Sequence, residues 1–475
     1  MYRKSLVKSV ASSSFTVSKV GVSMLPDESR DSIYAIDSYL VKKGIEAQDR
    51  IALVLNNSVE MALLYIACIC NRIIVCPIDP KSKADDILYC LRVAKPKHIF
   101  FDDRDLAELG TDIPCTYIGE RFWDGCAVTG LRQSGFEPND IFSITFTSGT
   151  TGNAKAIAHK AEAMLECAND FNIETEVGNG DVFLHTMPMY YMAGLLNTVL
   201  CPVLASANVV VDDAFGAMSP FSFWQTWIDN QITHTWLSPT MVTAVLAMDR
   251  ADHLRPYIRR NAEKFRIFCG TAPLSAQVKE EFRDRYGIKL VESYGLSEVL
   301  YVSVNYVGRD SNLSSVGTVL PAVNLEVLET GEIVFNSNYT MAGYLQEDGS
   351  LLRPKRNRFA SGDIGEIRDG CLYITGRIKD LIVKGGINIS AQEIENVVLD
   401  HVSVSQAAVK GCPDAFYGED IVCFYSGELD EVDLSAHCVE RLEANKVPKF
   451  FVRLPSLPVG PTGKVRKHEM NFEPS

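Results

Sequence analysis

Apolar and polar residues alternate with two different periods along the first part of the chain. Between residues 29 and 44, apolar side chains recur at helical intervals, which predicts a helix that ends at Gly44. Short apolar runs rich in β-branched and aromatic residues predict strands instead. These runs cover residues 51–55, 73–76, 98–101, 117–119 and 141–146. A second helix, capped by residues 56–58 and ending near Cys70, joins the first two strands into a βαβ unit, which predicts a parallel sheet.

The later pattern adds smaller elements. Two predicted strands each run into a glycine-containing turn, at residues 267–273 and 291–298. Turn residues at 331–334 and 348–349 predict hairpins, and therefore a small antiparallel element. Short strands and a helix then alternate near the C-terminus, at residues 407–410, 422–425 and 434–445. The pattern as a whole predicts an α/β protein with βαβ-built sheets, a small β element and a compact C-terminal α/β unit.

Composition narrows the choice of partners. The 475 residues include 47% hydrophobic and 22% charged residues, which is typical of a globular protein with more than one domain. Basic residues number 46 and acidic residues 60, so the net charge is −14 with neutral histidines. Nucleic-acid binding draws on basic surfaces, and this balance disfavours it. Small phosphate ligands remain compatible with local donors.

Cysteines and hydropathy bear on the compartment. The 13 cysteines are scattered without a Cys-x-x-Cys pair, which predicts buried thiols in a reducing cytoplasm, with no disulfide framework or zinc site. No apolar run approaches the roughly 18–20 residues that a membrane-spanning helix needs. The first 25 residues hold basic residues and serines but no acid, a composition shared with some transit peptides. They lack the apolar core of a secretory signal, and we expect a solvated N-terminal segment.

The stretch with the most evident chemistry follows the apolar run at 141–146. It reads Thr147-Ser148-Gly149-Thr150-Thr151-Gly152-Asn153-Ala154-Lys155 and offers hydroxyls, glycines and an ammonium with almost nothing to bury. Glycines let backbone N–H groups approach a ligand closely, and the other groups add donors for phosphate oxygens. An ordinary polar strand-to-helix loop has the same composition. No Gly-Lys-Ser/Thr follows at the spacing of a nucleotide P-loop, which disfavours a kinase or GTPase.

This stretch resembles the phosphate loop of the adenylate-forming enzymes, a superfamily of acyl- and aryl-CoA synthetases, peptide-synthetase adenylation domains and luciferases. Members usually carry proline where this chain has Ala154. Further stretches resemble family motifs in the family's order, at residues 267–273, 291–298, 361–365, 376–380, 381–395 and 457–464. The resemblance implies an N-terminal adenylation domain over residues 1–378 and a mobile C-terminal domain over residues 379–475. Their hinge would lie at Lys379 and Asp380.

The resemblance also implies the residues of the nucleotide site. In the family, the equivalent positions bind ATP or AMP; here they are Thr147, Ser148, Gly149, Thr150, Thr151, Gly152, Lys155, Gly270, Thr271, Ala272, Tyr294, Gly295, Ser297, Asp363 and Arg377. The ring of Tyr294 and the turn at Gly270 would hold adenine, and Asp363 would accept the ribose hydroxyls. Glu298 would act in catalysis by binding Mg²⁺ with the nucleotide. Lys464 would be the essential catalytic lysine, delivered by domain closure.

Two further sites follow from the resemblance. The acyl pocket would include Tyr191 and Gly194, with Tyr191 standing where members often carry histidine or another aromatic residue. The turn with Gly385, Gly386 and Asn388 would line a pantetheine tunnel.

The implied reaction is activation of a small carboxylic acid by ATP, followed by transfer of the acyl group to the thiol of CoA. A stand-alone enzyme that loads the phosphopantetheine arm of a carrier protein is the alternative, because both acceptors end in the same arm. An amino-acid substrate is disfavoured because the region after His185 lacks the Phe-Asp pair of amino-acid activators. Two other classes of function remain open: a non-catalytic relative that binds nucleotide, and a phosphotransferase.

Overall fold

The computed structural model describes residues 1–103, 109–132, 137–147, 154–305, 315–354, 358–460 and 465–472. The α-helices in these ranges are α1 (Tyr2–Ala11), α2 (Pro26–Lys42), α3 (Val59–Cys70), α4 (Ala84–Ala94), α5 (Ala161–Thr175), α6 (Cys201–Leu204), α7 (Ser219–Asp229), α8 (Pro239–Met248), α9 (Arg255–Arg260), α10 (Ala276–Tyr286), α11 (Ala391–Leu399) and α12 (Glu431–Arg441). A π-helix spans Ala193–Leu200, and short 3₁₀ turns span Ala262–Lys264, Ile378–Asp380 and Lys467–Glu469. Across these ranges, no helix combines the length and apolar character needed to cross a bilayer.

The strands fall into three sheets. The first thirteen are β1 (Val17–Lys19), β2 (Arg50–Val54), β3 (Ile74–Pro77), β4 (His98–Phe101), β5 (Cys115–Tyr117), β6 (Ile141–Thr147), β7 (Lys155–Lys160), β8 (Val182–His185), β9 (Asn208–Val211), β10 (His234–Leu237), β11 (Arg266–Cys269), β12 (Leu290–Leu296) and β13 (Leu300–Val304). The remainder are β14 (Thr318–Val319), β15 (Val323–Val327), β16 (Glu332–Ser337), β17 (Gly343–Leu345), β18 (Leu351–Leu352), β19 (Arg358–Arg368), β20 (Cys371–Arg377), β21 (Leu381–Lys384), β22 (Ile387–Ser390), β23 (Val404–Asp414), β24 (Gly418–Gly427) and β25 (Phe450–Arg453).

Two large sheets form the N-terminal part. A 12-stranded sheet has the order β1-β9-β8-β10-β11-β12-β13-β14-β20-β19-β16-β15, parallel as far as β12 and antiparallel beyond it. An 8-stranded sheet has the order β18-β17-β7-β6-β3-β2-β4-β5. Helix α3 is apolar on nearly all sides and lies in the core to which both sheets contribute. The predicted α/β class and the parallel βαβ unit of β2, α3 and β3 are confirmed.

Local sequence signals account for the ends of these elements. Helix α2 ends just before Gly44, which adopts φ 69°, a left-handed conformation that glycine tolerates best. Ser58 caps α3 by accepting a hydrogen bond from the Met61 N–H at 3.1 Å. The hairpin turn between β17 and β18 contains Gly349 at φ 91°. The predicted helix, cap and hairpin are therefore confirmed.

The prediction of a solvated N-terminal segment was wrong. Helix α1 buries Arg3, Leu6 and Val10, and β1 joins the edge of the 12-stranded sheet beside β9. Arg3 is 1% exposed, and its Nη1 donates to Asp140 Oδ2 at 2.7 Å. Local composition gave no sign of this docking, because Asp140 and strand β9 lie more than a hundred residues further along the chain.

A smaller C-terminal unit has a sheet of its own. Its five strands have the order β22-β21-β24-β23, with β25 parallel to β24, and α11 and α12 pack against them. The chain leaves the 12-stranded sheet at Arg377, passes through the 3₁₀ turn Ile378–Asp380 and enters the small sheet at Leu381. The change of sheet therefore falls within three residues.

Candidate functional site

The turn between β12 and β13 carries Ser297 and Glu298 and is held from two sides. His159 on β7 lies 2.6 Å from the Ser297 carbonyl oxygen through its Nε2, and the Met341 N–H donates to the Glu298 carbonyl at 2.8 Å. Burial lowers the pKa of His159 to about 4, so the ring is neutral near pH 7 and donates to that carbonyl through Nε2. The backbone around Glu298 is therefore fixed.

Lys155 and Glu298 meet at a third side chain, Tyr344. The Tyr344 hydroxyl donates to Glu298 Oε1 at 2.9 Å, and Lys155 Nζ lies 5.4 Å from the centre of the Tyr344 ring. Burial and then the Glu298 charge raise the pKa of Tyr344, so its phenol keeps the proton that it donates. Neither Lys155 nor Glu298 takes part in an ion pair with another described residue.

The loop of hydroxyls and glycines joins two antiparallel strands. Thr147 ends β6 and pairs directly with Lys155 at the start of β7, so the connection is a hairpin and not the strand-to-helix loop that its composition also allows. The predicted phosphate-binding residues Ser148, Gly149, Thr150, Thr151 and Gly152 lie outside the described residues. What the structure places is the base of this loop, next to Tyr344 and Glu298.

The donor set around Glu298 fits Mg²⁺ carried in with a nucleotide. No group of three or more His, Cys, Asp and Glu side chains in the described ranges is arranged to enclose a metal ion. Glu298 is half-buried and offers a carboxylate, the hard oxygen ligand that Mg²⁺ prefers. Mg²⁺ commonly binds through one or two carboxylates together with substrate phosphates and water. A single carboxylate beside a free ammonium is consistent with that mode.

A second cluster links Tyr294, Asp363 and Arg377. Asp363 is 1% exposed; its Oδ2 accepts a hydrogen bond from the Tyr294 hydroxyl at 2.5 Å, and Arg377 Nε lies 2.6 Å from Oδ1. The contact with Arg377 is a close ion pair across β19 and β20, and beyond it Oδ1 has no hydrogen-bond partner in the described part of the chain. Burial and then the Asp363 charge raise the pKa of Tyr294 well above its usual value. Among the described residues, Arg377 alone contacts this buried oxygen, and a carboxylate oxygen can accept a further hydrogen bond.

The turn at Gly270, predicted to hold adenine, and the nearby Gly295 have no space for a side chain at either glycine. A Cβ on Gly270 would lie 2.6 Å from the Trp236 ring and 2.7 Å from the Ser293 oxygen. A Cβ on Gly295 would lie 2.1 Å from the Leu300 oxygen. Between them, Thr271 adopts φ 74° and leaves its buried hydroxyl without a hydrogen bond to any described residue. Half-buried Ala272 completes the turn, and Tyr294 lies on the neighbouring strand β12.

The candidate acyl pocket lies where a bend leads into the π-helix Ala193–Leu200. Tyr191 is half-buried beside Tyr190, with ring centres 4.7 Å apart. Burial and then the Asp79 charge raise the pKa of Tyr191 to about 12 against an opposing effect of Arg466. A Cβ on Gly194 would lie 2.2 Å from the Pro188 oxygen, so close backbone packing explains this glycine. Asn57 holds the same segment through the Met187 carbonyl at 2.9 Å and the Met189 N–H at 2.8 Å.

The remaining predicted residues lie at or beyond the change of sheet. Lys379 and Asp380 sit in the 3₁₀ turn between the two sheets. Gly385 and Gly386, at φ 58° and 84°, form the turn between β21 and β22, and Asn388 is exposed on β22. Lys464 lies outside the described residues. The domain limits and the roles of these residues stay predictions.

Tyr344, His159 and Asn57 were missed in the sequence. His159 contacts the candidate residue Ser297, and Asn57 contacts the segment that leads to Tyr191. These partners are distant along the chain, so local pattern gave no signal for either contact. Tyr344 follows Gly343 in a predicted hairpin, and its place on the strand next to β7, which begins at the glycine loop, became visible only through the pairing of β17 with β7.

Comparison with known proteins places this chain among enzymes. The profile of the AMP-binding enzymes matches residues 30–345, and that of the AMP-binding enzyme C-terminal domain matches residues 393–464. The chain is similar to a sulfoacetate–CoA ligase of Cupriavidus necator, with 28% identity over 89% of this chain and 87% of the relative. It is also similar to a long-chain-fatty-acid–CoA ligase of Mycobacterium tuberculosis, with 27% identity over 90% and 88%.

Solved structures agree with this fold. One is an o-succinylbenzoate CoA synthetase from Bacillus subtilis in complex with an acyl-adenylate intermediate, which matches with a TM-score of 0.85 over 99% of both chains at 20% identity. The predicted large sheet domain with a smaller C-terminal domain is therefore confirmed at the level of the fold.

Proposed function

This chain belongs to the family of AMP-binding enzymes, and from that premise we propose that it is an AMP-forming ligase that joins a carboxylic acid to the thiol of CoA. The named relatives above are CoA ligases. The observation that carries the proposal is the meeting on one tyrosine of the Lys155 ammonium and the Glu298 carboxylate, neither of which forms an ion pair within the described ranges. Such a pair suits the phosphates and the metal of a nucleotide.

The chemical problem is that a carboxylate is a poor acyl donor, because its leaving group would be oxide. Attack of the carboxylate oxygen on the α-phosphorus of ATP forms an acyl-adenylate and releases pyrophosphate. A thiol then attacks the acyl carbon, the C–O bond to AMP breaks, and a thioester forms as the thiol proton is lost. The leaving group is now a stable phosphate monoester.

In the first half-reaction, the hairpin loop and Lys155 hold the β- and γ-phosphates. Bound beside Glu298, Mg²⁺ supplies positive charge that offsets those phosphates. Asp363 accepts the ribose hydroxyls through Oδ1, with Arg377 orienting its carboxylate. Tyr294 and the turn at Gly270 pack on adenine. Lys464 bridges the substrate carboxylate and the α-phosphate while charge moves between them.

In the second half-reaction, the C-terminal domain turns about Lys379 and Asp380. This motion withdraws Lys464 and brings the turn at Gly385, Gly386 and Asn388 to the site, where it lines the path of the pantetheine thiol. One site then serves two reactions because the domain supplies different residues to each. Tyr191 and the segment packed around Gly194 line the acyl side of the site. Buried thiols fit a reducing compartment, and we place the protein in the cytoplasm.

The test is carboxylate-dependent release of pyrophosphate across a panel of aliphatic, aromatic and doubly acidic substrates, with and without CoA. Multiple turnovers that require CoA and form AMP would support the proposal and identify the class of acid. Release without turnover on CoA would point to the phosphopantetheine arm of a carrier protein as the acceptor. ADP in place of AMP, or binding of ATP without release for any acid, would contradict the proposal.

Matched carboxylate variants test the assigned metal ligand. Glu298→Gln should lower the rate by about 100-fold, because it removes the charge that holds the metal on the nucleotide. Glu347→Gln, on the exposed turn after β17, should retain the wild-type rate. Equal activity of the two variants would remove Glu298 from the site.

A further inference from the structure

Tyr344 is built into the same strand pair that carries Lys155. In the antiparallel pairing of β7 with β17, Tyr344 stands directly opposite Ile157, and Leu345 stands opposite Ala156. Lys155 and Ile157 share one face of β7 because side chains alternate along a strand. The Tyr344 ring is therefore a diagonal neighbour of Lys155, and the ladder fixes its distance from the ammonium.

The other end of Tyr344 is fixed by the turn at Glu298. The hydroxyl donates to Glu298 Oε1, while the backbone of that turn is tied to Met341, three residues before Tyr344. The Ala342 N–H also donates to the Ala158 carbonyl at 2.8 Å. Strand β17 thus connects the lysine strand and the glutamate turn through main-chain bonds, and Tyr344 connects their charged groups.

We propose that Tyr344 is a positioning residue that keeps Lys155 and Glu298 apart, so that both charges stay available to the metal–nucleotide complex. The inference rests on the proposed function, which assigns the phosphates to Lys155 and the metal to Glu298. The Lys155 ammonium and the Glu298 carboxylate both contact Tyr344, and without this side chain the two charges would be free to pair with each other. Binding of Mg·ATP would then have to break that pair.

The two parts of the tyrosine have separable tasks. The hydroxyl orients one oxygen of Glu298, so its loss weakens binding that depends on the metal. The ring accepts Lys155 on its face and excludes the direct pair, so its loss weakens binding of the phosphates with or without metal. A residue that only filled space would affect both kinds of binding alike.

The experiment measures ATP affinity by calorimetry on the full-length protein without any carboxylic acid, once with Mg²⁺ and once with EDTA. Tyr344→Phe keeps the ring and should weaken Mg·ATP binding about tenfold, while metal-free ATP binding stays within about twofold of wild type. Tyr344→Leu should weaken both. Tyr373→Phe is the matched control. The Tyr373 ring on β20 lies 4.5 Å from the guanidinium of Arg368 on β19, away from the candidate site, and this variant should bind ATP as wild type does.

Two results for Tyr344→Phe would overturn the inference. One is Mg·ATP affinity equal to wild type, and the other is an equal loss of ATP affinity with and without metal. A double variant adds an independent check. If the hydroxyl acts through Glu298, Tyr344→Phe should have no further effect on Mg·ATP binding in a Glu298→Gln background, and additive losses would contradict it.

The binding data also separate this inference from the proposed function. The protein could show the metal-dependent loss of ATP affinity in Tyr344→Phe and yet release no pyrophosphate with any acid. That result would support the role of Tyr344 and contradict the proposed ligase activity. Pyrophosphate release by wild type, together with unchanged Mg·ATP binding in Tyr344→Phe, would support the ligase activity and contradict the role of Tyr344. A wild-type protein that does not bind Mg·ATP would overturn both.

Discussion

At the scale of single residues, the candidate site depends on close packing of backbone and side-chain atoms as much as on reactive groups. Gly270 and Gly295 lie where any side chain would collide with a ring or a carbonyl oxygen. His159 contributes one N–H to a carbonyl and is otherwise enclosed. Such positions tolerate little change in volume or charge, because an added group would collide with neighbouring atoms or a lost N–H would leave a buried carbonyl without its partner.

Gly270→Ala should destabilise the protein by about 1–3 kcal/mol, because the added methyl group overlaps Trp236 and the Ser293 carbonyl. It should also weaken ATP binding, since the turn must shift to make room. Gly178→Ala is the control: no atom lies within 4 Å of a Cβ there, and the change should stay within about 0.5 kcal/mol. Urea unfolding compares the two, and equal midpoints would contradict the steric argument.

Acid should destabilise the protein in part through His159. Burial lowers the pKa of this ring from 6.5 to about 4, so between these pH values the unfolded chain binds a proton that the folded chain does not. The free energy of unfolding is therefore unaffected by protonation of this ring above pH 6.5 and decreases as the pH falls from 6.5 towards 4. His159→Gln should flatten the slope of unfolding free energy against pH in that window by up to about 1.4 kcal/mol per pH unit.

The measurement is urea unfolding at a series of pH values. His468→Gln is the matched control, because the His468 side chain is 79% exposed and stays in solvent in both states. A wild-type slope in His159→Gln would mean that the buried ring accepts a proton without unfolding.

Residues close in sequence were easier to predict than residues brought together by sheets. Ser58 and Gly44 act on neighbouring residues, and their capping and terminating roles were visible in the sequence. Tyr344 and Glu298 are 46 positions apart, and Tyr294 and Asp363 are 69 apart. Only a known family motif pointed to the second contact, and nothing pointed to the first.

At the scale of elements, helix α1 shows how a polar sequence docks onto a core. Arg3 and Arg72 both bind Asp140, which is 4% exposed in its side chain. Burial alone would raise the pKa of Asp140, but hydrogen bonds from Arg72 and Arg3 lower it. The Tyr2 N–H adds a bond to Glu162 on α5 at 3.0 Å. The serines and basic residues that predicted a solvated segment therefore conceal an element of the fold.

Arg3→Ala should lower the free energy of unfolding by about 3 kcal/mol, because it leaves the buried Asp140 carboxylate with one of its two cations. Lys4→Ala changes the neighbouring exposed residue and should stay within about 0.5 kcal/mol of wild type. Chemical unfolding of both variants is the measurement. Equal stability would show that the ion pair of Arg3 with Asp140 contributes nothing to the stability of the fold.

At the scale of the whole molecule, the chain joins two sheets of different size through a three-residue turn. The large sheets hold the candidate nucleotide residues, whereas the small sheet carries the candidate pantetheine turn. The sequence predicts a hinge at Lys379 and Asp380 because the motif around Arg377 is long, and this hinge stays a prediction. The delivery of Lys464 by domain closure likewise stays a prediction, because Lys464 lies outside the described residues.

Lys464→Ala should abolish pyrophosphate release but spare thioester formation from supplied acyl-adenylate, because the lysine is assigned to the first half-reaction alone. The two half-reactions are measured separately on the same folded variant, with wild type as the reference for each. Loss of both rates would contradict a division of labour between two domain positions.

Arg377 is both the last residue of β20 and a partner of Asp363, the candidate ribose acceptor. The turn to the small domain begins at the next residue. Coupling between two sites is reciprocal, so a ligand that binds Asp363 more tightly in one orientation of the small domain stabilises that orientation by the same factor. AMP would then be an effector as well as a product: while it remains bound, it biases which half-reaction the enzyme is arranged to perform.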